Sequence, residues 1–146
     1  YGDVEVLGTE FNVKAYDEEA FVTTLEKGSV VFTSNQGKKV TLQPGSQVVF
    51  DSNNLTTARV ETEIFTSWKD GKLIFRNEPL QNIITRLERW YNVDVELKDN
   101  KLKDLKFNGT IEMETFSEVL ELIKVTTAIE YSFDRNTRIL SISSGK

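Results

Sequence analysis

Carboxylates are the side chains here best placed to do chemistry, because histidine and cysteine are both absent. Without histidine there is no group that ordinarily titrates near neutral pH, no His-activated nucleophile and no imidazole metal ligand. Without cysteine there is no thiolate, disulfide or sulfur-based metal site. The carboxylates that crowd together are Glu10 with Asp17, Glu18 and Glu19, and Glu112 with Glu114, which share one strand parity. Two carboxylates can hydrolyse a glycoside. With 23 acidic residues in 146, however, such neighbours arise by chance. Asp17-Glu18-Glu19 and Asp51-Ser52-Asn53-Asn54 are rich in oxygen but lack the spacing of a calcium loop. The glycines are scattered singly, as turn markers are, and build no phosphate cradle. The reading is therefore a protein that is not an enzyme, with no catalytic residue, no metal and no cofactor.

Binding chemistry is concentrated at Trp90-Tyr91, with Arg86 and Arg89 just before them. Aromatic and arginine side chains dominate the energetics of protein interfaces. The plainer expectation is that both rings cap an apolar stripe and that the arginines form a solvated face. The functional one makes Arg86, Arg89, Trp90 and Tyr91 a partner-binding patch. Trp68 reads as a plug at a domain junction.

These residues need elements to hold them. Ten acidic and five basic residues fall in 1–67, against thirteen of each in 68–146, so the net charge of −5 lies in the first part. An acidic chain without a basic cluster is not expected to bind nucleic acid. No run of about 18 apolar residues is present, so nothing here spans a membrane. The start at Tyr1, inside a strand-like pattern, reads as a piece of a longer protein.

Residues 1–67 read as short strands. Phe11, Val13 and Ala15 alternate with polar neighbours, as do Val40 and Leu42. Val30-Val31-Phe32 and Val48-Val49-Phe50 predict strands buried on both faces. Turns are expected at Gly8, Lys27-Gly28, Asn35-Gln36-Gly37, Pro44-Gly45 and Ser52-Asn53-Asn54. The result is an all-β domain, a small sandwich or solenoid-like sheet.

Residues 68–146 change period. Pro79 is expected at the first position of a helix carrying Leu80, Ile83, Ile84 and Leu87 on one face. Asn82, Thr85, Arg86 and Arg89 fall opposite. Thr115 with Glu118 forms a capping box before a second helix with Val119, Leu120 and Ile123. The apolar pattern repeats at an offset of 36: Leu80 with Phe116, Ile83 with Val119, Leu87 with Ile123, Val93 with Ile129, Leu97 with Phe133. This predicts a βαβ–βαββ domain and an α+β protein overall.

Longer strings carry a family resemblance. VLGTEFNVKAY at Val6–Tyr16, LEKGSVVF at Leu25–Phe32 and LQPGSQ at Leu42–Gln47 resemble the FecR domain. WKDGKLIFRNEPLQNIITRLERWYNVDVEL at Trp68–Leu97 and FNGTIEMETFSEVLELIKVTT at Phe107–Thr127 resemble the C-terminal domain that follows it in Bacteroidetes members, which is similar to the secretin/TonB short N-terminal domain. The resemblance implies the periplasmic part of a single-pass inner-membrane anti-sigma regulator. Its implied partner is the signalling domain of a TonB-dependent outer-membrane transporter. An extracytoplasmic-function sigma factor would be held only through a cytoplasmic segment that this sequence lacks, and the membrane only through a helix it also lacks. The resemblance carries over no catalytic or binding residue. A small-ligand or glycan-binding module and a structural periplasmic oligomerisation domain are the alternatives.

Overall fold

The computed structural model describes residues 1–145. The chain divides into two compact units, Tyr1–Asp70 and Gly71–Lys146.

The first unit is one five-stranded antiparallel sheet, ordered β1-β2-β4-β5, with β3 also on β2. β1 (Gly2–Lys14) and β2 (Phe21–Ser34) form a long hairpin. Gly8 and Gly28, expected in turns, instead lie inside these strands, where the register slips between Leu7 and Phe11. Gly28 has φ 91°, and a Cβ there would lie 2.7 Å from the Gly8 carbonyl oxygen. Gly8-Thr9 of β1 oppose the single Gly28 of β2, and the next slip leaves Glu26 extra on β2, so two successive bulges bend the strands without reversing them. The bend lets β2 pair with β4 (Ser46–Asp51) along one half and β3 (Lys39–Leu42) along the other. Phe21 and Phe32, from the two halves of this one strand, stack with centroids 4.9 Å apart.

Around them Leu25, Val30, Leu42, Val48 and Phe50 complete a core. Val31 and Val49 are only half-buried, so both dense runs are fully covered on one face and not two. Pro44-Gly45 makes the expected turn: Ser46 N–H donates to Gln43 O at 3.1 Å and Gly45 takes φ 82°. β5 (Asn54–Arg59) follows Ser52-Asn53, both left-handed, the backbone a tight hairpin needs. The one-turn helix α1 (Glu63–Thr66) and the 3-10 turn after it stay with this unit, which moves the division three residues beyond Ser67. Trp68 in that turn is exposed, and its indole N–H donates to Asn12 Oδ1 at 2.8 Å.

The second unit has the order β6 (Leu73–Pro79), α2 (Leu80–Tyr91), β7 (Asp94–Leu97), β8 (Lys106–Ile111), α3 (Phe116–Thr127), β9 (Ile129–Asp134), β10 (Ile139–Ser144). This is the predicted βαβ–βαββ, and both helices obey the 36-residue offset. β6 pairs antiparallel with β8; β10 lies between β7, parallel to it, and β9, antiparallel. Each sheet therefore mixes strands from both repeats, and the halves share one core: Phe75, Leu80, Ile83, Leu87, Val119, Leu120, Ile123, Leu140 and Ile142 among others. Thr115 and Glu118 form the predicted capping box. Pro79 sits one position earlier than expected: it is still extended, ψ 140°, and Leu80 is the first helical residue.

Candidate functional site

The four residues expected to bind a partner separate into two pairs. Arg86 does not lie on a solvated face. Its side chain is long enough to leave the polar side of α2 and run back over β6. Nη1 donates to the Ile74 carbonyl at 2.8 Å and to Glu78 Oε2 at 3.0 Å, and the guanidinium stands 4.6 Å from the centre of the Phe75 ring. Burial pulls its pKa below the ordinary value, while Glu78 works the other way. Tyr91 also turns inward: its hydroxyl donates to Glu114 O at 2.8 Å and its ring tilts against Phe116. Burial, with Glu114 and Glu118 nearby, raises the Tyr91 pKa. Arg89 and Trp90 are exposed, so the expected capping of the stripe by both rings holds only for Tyr91. The C-terminus of α2 is closed by Arg138, which donates to the carbonyls of Tyr91 at 2.9 Å and Asn92 at 2.7 Å, a favourable place for a cation.

Four of the six crowded carboxylates are engaged in structure. Glu19 pairs with Lys14, Glu10 with Lys27 and Lys69, and Glu112 with Lys72. Glu114 accepts from the backbone of Glu112 and Met113. No group of acidic residues able to hold a metal occurs among the described residues.

A surface the sequence reading missed lies on the other helix. One side of α3 is tied to β9: Tyr131 donates to Glu121 at 2.6 Å, and Lys124 pairs with Glu130 at 3.0 Å. The side toward β8 carries Val119, Leu122 and Thr126, which with Asn108, Gly109 and Thr110 line a groove. Leu122 is 45% exposed, Val125 81% and Met113, just after β8, 94%. The signal was the offset itself, since residue 122 is the counterpart of Arg86. A second, shallow depression on β9 and β10 is lined by Glu130, Tyr131, Ser132, Ser141 and Ser143, with Lys98 beside it.

Residues 72–140 match the family model described as FecR, C-terminal. Among solved structures, two crystal structures of a "putative anti-sigma factor" from Parabacteroides distasonis ATCC 8503, at 1.65 and 2.50 Å, superpose with TM-scores of 0.82 and 0.81. Each is 26% identical and is matched over 99% of this chain and 68% of its own. Among curated proteins none matches. In fold and in these matches the chain is similar to FecR-like anti-sigma regulators. The part that carries the FecR C-terminal match, residues 72–140, lies within the second unit. No helix among the described residues is long and apolar enough to cross a membrane.

Proposed function

We propose that this chain is the periplasmic, signal-receiving part of a transmembrane FecR-like regulator. It docks the signalling domain of a TonB-dependent outer-membrane transporter and so controls an extracytoplasmic-function sigma factor held elsewhere in the full protein. The second unit receives the partner, and the acidic first unit, read as the FecR domain, passes the state on toward the membrane. The observation that carries this is the FecR C-terminal match over residues 72–140, laid on a unit whose small sheets have open edges. Open edges present backbone donors and acceptors ready for another chain. Arg89 and Trp90 serve as rim contacts.

The test is isothermal titration of the chain against isolated signalling domains of TonB-dependent transporters from the same source. Saturable binding to one and not the rest supports the reading. Binding to none, with a rise in melting temperature on adding a sugar from a glycan panel, would replace it with the ligand-module alternative.

A further inference from the structure

We propose that the outer edge of β8, with its groove against α3, receives an extended strand of the partner protein, one bearing an apolar side chain at every second position. The proposal rests on the docking function above and assigns it a surface.

Arg86 fixes the direction of one carbonyl on β6. Its bond to the Ile74 carbonyl requires that carbonyl to point away from β8. Opposed residues in an antiparallel pair alternate between exchanging hydrogen bonds and turning both groups outward. Ile74 is opposed by Thr110, so the two form an outward-turned pair. Thr110 then directs its own N–H and C=O to the far side of β8, away from β6.

The internal repeat shows how differently the two outer edges are treated. On β6, Arg86 reaches across from α2 and satisfies Ile74. Thirty-six residues on, Thr110 stands where Ile74 does, and Leu122 stands where Arg86 does. Leucine has no donor to offer. One repeat carries its own plug and the other lacks it.

Unplugged strand groups call for N–H and C=O in alternation, which another backbone supplies. The wall facing that backbone is Val119, Leu122 and Thr126, with Val125 and Met113 exposed nearby. Side chains that an added strand turned toward it would meet an apolar surface. Because strand side chains alternate, this selects apolar residues at every second position of the partner.

The wild-type chain and its variants are titrated against the signalling domain identified above. Leu122→Arg copies the plug of the first repeat into the second and is expected to weaken binding about tenfold or more. The melting curve should be unchanged, because Leu122 is a surface residue. Thr110→Pro deletes the outward N–H without removing a bond to β6 and is expected to act the same way; should it fail to fold, Leu122→Arg decides alone. Unchanged binding by folded Leu122→Arg overturns the edge and leaves the docking function standing. Loss of binding in Arg89→Glu with Trp90→Ala, while Leu122→Arg still binds, moves docking to the end of α2 and also overturns the edge. Self-association of the wild type that Leu122→Arg abolishes would assign the edge to a second copy and contradict the proposal. If the wild type binds no signalling domain, both readings fall.

Discussion

Asn92 and Ala128 stand 36 residues apart and close α2 and α3 in the same left-handed conformation, at φ 51° and 53°. The repeat is therefore preserved down to the backbone of its helix ends, where the side chains differ. Asparagine visits this region readily, whereas an alanine Cβ crowds the following carbonyl. Ala128→Gly is expected to raise stability by about 1 kcal/mol, the lower end of that steric cost. Urea denaturation followed by circular dichroism measures it, and a lowered midpoint would contradict the strain.

Arg86 is expected to be structural. Arg86→Met leaves Glu78, with only 18% of its side chain exposed, facing an apolar neighbour, and strips the Ile74 carbonyl of its donor. A loss of about 2 kcal/mol is expected, the scale of hydrogen bonds to a charged group. Arg89→Met, on the exposed face, should cost much less. Thermal melts of the two variants side by side decide it; equal losses would refute the distinction.

Thr23 lies fully buried in the first unit, and its hydroxyl finds no hydrogen-bond partner. A buried polar group left unpaired is a standing cost. Thr23→Val keeps the shape and removes the group, and is expected to stabilise the chain by about 1 kcal/mol. A lower melting temperature in the variant would show that the hydroxyl has a partner in solution.

Acid should loosen the second unit at its capping box. The Glu118 carboxylate is held below its ordinary value near 4.5, first by the Thr115 backbone N–H and then by the Thr115 hydroxyl. A carboxylate depressed in the folded state adds stability above that ordinary value, and the contribution is lost as pH falls through the depressed one. Glu114, Asp99 and Asp134 are lowered too, chiefly by backbone N–H groups for Glu114 and Asp134 and by Ser144 for Asp99. Glu118→Gln is expected to lower stability at neutral pH and to flatten the acid limb below pH about 4.5. A variant whose acid limb parallels the wild type would contradict the coupling.

The second unit was legible because its signals are periodic and local. Ile83, Leu87, Val119 and Ile123 repeat at helical spacing, and Thr115 with Glu118 marks a helix start without reference to anything distant. The first unit was less so. Gly8 and Gly28 signal unusual backbone, but a glycine does not declare whether the chain reverses or only bulges, and that depends on the strand opposite. Val31 and Val49 look like core residues in sequence, yet the sheet folds so that only one of its faces is closed off completely. Arg86 was misplaced for a different reason: helical spacing fixes where a Cβ points, while a long side chain can end somewhere else. The 36-residue offset points to its counterpart Leu122, but that Leu122 lacks the donor Arg86 supplies gains meaning only beside the bond from Arg86 to Ile74.

Reception of a transporter's signal is the central claim, and competition inside the cell tests it most directly. The chain is exported as a separate domain to the periplasm of the source bacterium, and transcription from the promoter of the regulated sigma factor is followed during induction by the transporter's nutrient. The account expects induced transcription to fall as the chain accumulates, because it occupies the signalling domain that the full-length regulator needs. Undiminished induction, with the folded chain recovered from the periplasm in excess over the regulator, would contradict it.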